Sequence, residues 1–121
     1  MRRDVLHNYV RALRKRAGLS QKQLAQLLGN RSGSKVSRYE KFRRDPSLET
    51  ALACEVVFGT AAKDIFAGVY ARVEEKTLRR AQALVEELRK KRQDAATVRT
   101  IAFLQKLCAA AEDESTRPDR R

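Results

Sequence analysis

The chain of 121 residues has no tryptophan, one histidine, two cysteines, two prolines and five glycines. These scarcities exclude a good deal. His7, Cys54 and Cys108 lie too far apart in sequence to read as a metal site, and no other ligand spacing appears. General acid–base work needs a tuned pair and nucleophilic catalysis needs an activated residue beside a base. Neither arrangement is legible, nor is a glycine-rich phosphate loop, so no enzyme, metal or cofactor is expected. Both cysteines sit inside apolar helical patterns and read as buried, reduced thiols. No apolar run approaches the length of a membrane span. Met1-Arg2-Arg3-Asp4 is not followed by an apolar signal core. A cytoplasmic protein with no membrane partner is therefore expected. The aromatics are three tyrosines and four phenylalanines, mostly at inward positions, and they offer no evident platform for stacking unpaired bases.

Charge is what the chain has in abundance. Its net charge is +12, which says little about fold and much about partners: nucleic acid, an anionic surface or an acidic protein. The excess lies early, with 14 basic and 6 acidic residues in 1–64 against 13 and 9 in 65–121. The densest basic stretch carries Arg31, Lys35, Arg38, Lys41, Arg43 and Arg44 against Glu40 alone.

Strand alternation is nearly absent and the chain reads as all-α. Leu6, Val10 and Leu13 make one stripe of a first helix over Asp4–Ala17. Ser20 with Gln23 forms a capping box for a second, Gln21–Leu28. After the polar turn Gly29-Asn30-Arg31, Ser32 caps a third over Gly33–Lys41, with Val36 and Tyr39 inward. Pro46 and Ser47 open a fourth to Phe58, with Leu48, Leu52 and Phe58 as core candidates, and a short fifth begins near Ala61. From Ala67 to Lys91, apolar residues recur at three- and four-residue steps, predicting a long amphipathic helix that Gln93-Asp94 interrupts. A last helix is expected over Ala95–Ala111, then a disordered tail over 112–121.

Three blocks point further: Leu19-Ser20-Gln21-Lys22-Gln23-Leu24-Ala25-Gln26-Leu27-Leu28-Gly29, then Val36-Ser37-Arg38-Tyr39-Glu40, then Pro46-Ser47-Leu48-Glu49-Thr50. In this order they resemble the Cro/C1-type (XRE-family) helix-turn-helix domain over about residues 6–66. The resemblance implies a five-helix DNA-binding domain over 1–66, followed here by a helical dimerisation appendage over 67–111. It implies a transcriptional regulator, a repressor, that binds double-stranded DNA as a homodimer on a palindromic operator. An antitoxin-type autoregulator and a protein-interaction module remain alternatives; RNA binding is a weaker one.

The implied roles carry over by position. Gln21 would meet phosphate or a base edge. Ser32, Gly33, Ser34, Lys35, Ser37 and Arg38 would lie at or on the reading helix. Arg38 is the foremost base reader, because a guanidinium matches guanine O6 and N7 in a bidentate pair. Lys41, Arg43 and Arg44 would track the phosphates. Arg14 and Glu40 resemble the family's internal ion pair. The duller readings are a simple cap for Gln21 and Ser20, solvated positions for Ser34 and Ser37, a solvated loop for Arg43 and Arg44, and a surface or packing role for His7. The appendage offers Tyr70, Val73, Leu84, Leu88, Ile101 and Leu104 as dimer anchors, unless its helices fold back on their own chain. Three positions depart from the family pattern: a turn before Val36 that is one residue longer, Phe42 where glycine is common, and Glu55 at a small apolar position.

Overall fold

A computed structural model describes residues 5–115. Among them it contains seven helices and no strand: α1 (Val10–Ala17), α2 (Gln21–Leu27), α3 (Ser34–Glu40), α4 (Leu48–Phe58), α5 (Ala62–Ile65), α6 (Ala67–Arg89) and α7 (Ala95–Ser115). The all-α expectation is met. The chain divides into two compact units, one closing at Ala71 and the other running on from Arg72.

The first unit is built around Val10, Leu24, Ala25, Val36, Cys54, Ile65 and Phe66. Six of these seven are fully buried or within a percent of it, so α1 to α5 each contribute to a single core. Burial pushes the Cys54 thiol up to about 11, which leaves it protonated and inert at neutral pH.

The first helix is shorter than its apolar stripe predicts. It begins at Val10 rather than Asp4, and Leu6 is exposed outside it. The backbone of residues 7–9 is bonded elsewhere. The Tyr9 N–H donates to the Ile65 carbonyl at 2.8 Å, and the His7 carbonyl accepts from the N–H groups of Gly68 and Val69. Buried Asn8 ties both ends of this strap: its Oδ1 accepts from Val10 N–H and its Nδ2 donates to the Tyr39 carbonyl. The strap lies so close to α6 that a Cβ on Gly68 would stand 2.5 Å from His7 Cα and 2.6 Å from the Leu6 carbonyl oxygen. Both obstacles are backbone, so Gly68→Ala must displace the strap. We expect it to cost about 1–3 kcal/mol in urea unfolding, the usual range for overpacking; an unchanged midpoint would contradict the docked strap.

Helix α4 turns a different face inward from the one expected. Leu48 and Leu52 are exposed, while Cys54 is buried, with Ala51, Val57 and Phe58 packed around it. The helix is apolar over most of its circumference, so spacing alone does not choose its buried side. Glu55 resolves its own difficulty at the rim: its Oε1 accepts from Ala62 N–H at 3.0 Å and caps α5.

In the second unit α6 and α7 form a hairpin. Gln93 donates to the carbonyls of Leu88 and Lys91 where α6 ends. Asp94 then caps α7 by accepting from Thr97 N–H at 2.8 Å, and the hydrogen bonds from Thr97 hold its carboxyl below the ordinary range. Helix α7 continues to Ser115, four residues into the stretch expected to be disordered. The rest of that tail, 116–121, lies outside the described residues.

The hairpin core consists of Ala81, Val85, Ile101 and Leu104, with Leu88 and Cys108 beside it. Leu88, Ile101 and Leu104, expected at a seam between two copies, are thus used within one chain. The short connection favours this, because closing a five-residue loop costs far less entropy than bringing two molecules together. Tyr70, Val73 and Leu84 stay exposed.

Candidate nucleic-acid interface

Helices α2 and α3 carry half of the candidate DNA-contact residues, and the segments on either side of α3 carry the rest. The capping box is present: Ser20 Oγ accepts from Gln23 N–H, and Gln23 Oε1 accepts from Ser20 N–H. At the other end of α2, Gly29 takes a left-handed backbone with φ 82° and Asn30 N–H returns to the Ala25 carbonyl. Helix α3 then starts at Ser34, one residue later than expected, with Gly33 at the cap position. Ser32, expected as the cap, stands one residue before it, with its hydroxyl 3.0 Å from that of Ser34. A Cβ on Gly33 would lie 3.1 Å from Gln21 Cβ and 3.2 Å from Gln21 carbonyl carbon. Glycine here lets the start of α3 lie against the start of α2. Gly33 therefore serves clearance between the helices and offers no side chain to a base.

The outward side of α3 presents Ser34, Lys35 and Arg38 exposed and Ser37 half-buried, while Val36 and Tyr39 point into the core. Lys41, Arg43 and Arg44 follow on an exposed loop. The one acid among them is withdrawn. Glu40 has a side chain only 4% exposed, where Arg14 meets it through both Nε and Nη2. Arg14 also donates Nη1 to the Leu19 carbonyl at 2.8 Å, and the bonds to Glu40 raise its guanidinium above the usual value. Gln21 joins this network, with Nε2 donating to Glu40 Oε1 at 3.0 Å. Gln21 is half-buried, and this bond holds its amide beside the Arg14–Glu40 pair.

Residues 7–65 match the family model of a helix-turn-helix domain. This segment is a helix-turn-helix domain. The match spans α1 to α5 and just under half of the chain. No curated protein and no solved structure matches the chain.

The helix-turn-helix domain closes its third helix in an informative way. Arg43 N–H donates to the Arg38 carbonyl and Phe42 N–H to the Tyr39 carbonyl, the paired bonds of a Schellman ending. The residue at its left-handed position is usually glycine, as Gly18 is after α1. Here it is Phe42, with φ 61°, the only non-glycine residue with positive φ among those described. Its side chain stays exposed, with the ring 5.4 Å from the His7 imidazole. His7 Nε2 in turn sits 2.7 Å from Asp45 Oδ1. The sequence carries no signal for this trio, because His7 and Asp45 lie 38 residues apart and only the fold brings them together. Among the described residues no group of three or more histidine, cysteine or acidic side chains is placed to hold a metal ion, and no helix is long and apolar enough to cross a membrane.

Proposed function

We propose that the protein is a transcriptional regulator, a repressor, that binds double-stranded DNA sequence-specifically as a homodimer on a palindromic operator. The observation that carries this reading is the outward side of α3. It offers Ser34, Lys35 and Arg38 to solvent while the only acid of the basic stretch is buried against Arg14. A major groove admits one such helix, with polar and cationic side chains at the base edges. Ser34, Ser37 and Arg38 are the base-contacting residues in this reading, and Lys35, Lys41, Arg43 and Arg44 bind phosphates.

Selection from a random duplex library with the full chain tests it. An inverted repeat is the expected product; recovery of no preferred sequence would refute specific binding. On the selected site, Arg38→Ala should cost about 1–3 kcal/mol and relax base choice at one position. Equal weakening on every sequence would make Arg38 a phosphate ligand instead.

The dimer rests on the exposed apolar residues Tyr70, Val73 and Leu84, which are 43%, 50% and 40% exposed. A single helix-turn-helix module buries little DNA surface, and pairing doubles it. Val73→Asp with Leu84→Asp should convert the full chain to a monomer in sedimentation and weaken operator binding. A wild-type chain that sediments as a monomer on its own and on DNA would sink the dimer.

A further inference from the structure

We propose that one apolar face of the α6–α7 hairpin docks on the same face of a second copy of the chain, so that two hairpins close into a four-helix bundle about a two-fold axis near Leu84. This deepens the homodimer reading above and rests on it. Rotation sets the faces, because each residue advances about 100° around a helix. The hairpin core uses Ala81, Val85 and Leu88 on α6 and Ile101, Leu104 and Cys108 on α7. One position later stand Gln82, Glu86 and Arg89 on α6 and Gln105 and Ala109 on α7, and these line one shallow groove. Both helices therefore turn the later positions to one side of the hairpin and the preceding positions, together, to the other. On α6 the preceding positions are Arg80, Leu84 and Glu87, continued by Val73 and Thr77. On α7 they are Thr100, Phe103 and Leu107, continued by Ala96 and Ala110.

The hairpin leaves this side uncovered. Its α7 stripe runs from Ala96 to Ala110 without a charge, about 20 Å at 1.5 Å per residue. Phe103 is 66% exposed and Leu107 38%, while Arg99 and Lys106 fall on another line of the helix. Thr100 Oγ1 already donates to the Ala96 carbonyl at 3.0 Å, so covering the stripe strands no hydroxyl. Each helix thus has one stripe used inside the hairpin and a second about 100° round from it. Two such stripes suit a four-helix bundle, in which each helix meets two neighbours. The α6 stripe identifies the partner. A two-fold interface sets residue i against residue j and j against i. Arg80 and Glu87 are both exposed and stand seven residues apart, with Leu84 between them. Laid antiparallel on its own copy, α6 sets Arg80 against the partner's Glu87 and Glu87 against the partner's Arg80, while α7 meets the partner's α7. A parallel copy would set like charges together. A stripe whose opposite charges exchange on reversal fits itself, and nothing requires a foreign protein to match that spacing.

Sedimentation of the full chain without DNA reads the interface. Phe103→Asp, at a side chain outside the hairpin core, should give a monomer whose helical circular dichroism is unchanged. Arg80→Glu and Glu87→Arg should each weaken dimerisation roughly three- to thirtyfold, because two exposed ion pairs become two repulsions. An equal mixture of these two variants should form a heterodimer as tight as the wild-type dimer, since opposite charges then meet at both places. Leu84→Cys should cross-link two chains on mild oxidation, because the axis passes within a residue of it. Glu86→Cys, on the groove side, should not. The unaltered chain, with one buried and one half-buried thiol, is the blank. A dimer indifferent to Phe103→Asp, a mixture no tighter than its components, or a cross-link through Glu86→Cys and not Leu84→Cys overturns the proposal and leaves the homodimer standing. A wild-type monomer overturns both. None of these measurements uses DNA, so a chain that behaves as expected in all of them but selects no duplex sequence refutes only the DNA-binding reading.

Discussion

Arg14→Ala should destabilise the helix-turn-helix domain by about 3–5 kcal/mol, the cost of leaving one member of a buried ion pair alone. That is a large part of the roughly 5–15 kcal/mol that holds a small domain together. The geometry supports the upper part of the range. Glu40 accepts from Arg14 and from Gln21, and its side chain is 4% exposed, so neither water nor a nearby cation takes over when the guanidinium is removed. The Leu19 carbonyl loses its donor as well. Glu40→Ala should cost a similar amount by stranding Arg14. The double replacement Arg14→Met with Glu40→Leu should recover much of the loss, because no charge is then left buried. Urea unfolding followed by circular dichroism measures all three. A loss below about 1 kcal/mol for Arg14→Ala would mean that the pair behaves like an exposed one.

Arg43→Ala with Arg44→Ala should do the opposite: leave the fold intact and remove affinity from every duplex alike. Both side chains are exposed on the loop after α3, and neither is part of a core. Each phosphate contact contributes about 0.9 to the slope of log affinity against log salt, so the double variant should lose nearly two units of slope per protomer. Sequence preference should survive, because backbone contacts position the protein and base contacts choose the site. An unchanged slope would put both arginines off the DNA. Read beside Arg38→Ala, which should alter preference, this pair separates reading from holding.

Much of the domain was legible because its signals are local. Ser20 with Gln23, Ser47 and Gly29 mark helix ends through contacts within a few residues, and each acts as the sequence implies. The features that differ are decided at long range. The strap before α1 is pulled out of helix by Ile65, Gly68 and Tyr39, none of which the Leu6–Val10–Leu13 spacing reports. Helix α4 has apolar residues on several sides, and small Cys54 rather than Leu48 or Leu52 fits the packed centre. The bond from Gln21 to Glu40 depends on where α3 crosses α2, which spacing along the chain does not report. Leu88, Ile101 and Leu104 form an apolar stripe that suits a partner helix, and periodicity does not reveal that the partner is the chain's own. Phe42 was visible as an oddity in place of glycine, but its contact with His7 was not.

The most direct test of the account is a salt titration of the intact chain on duplex DNA and on the matching single strand. Affinity for the selected duplex should exceed that for the single strand and should fall linearly on logarithmic axes, with a slope steeper than about −3 if Lys41, Arg43, Arg44 and Lys35 each meet a phosphate. Equal affinity for the two forms, or binding that ignores salt, would contradict a helix-turn-helix that reads the major groove.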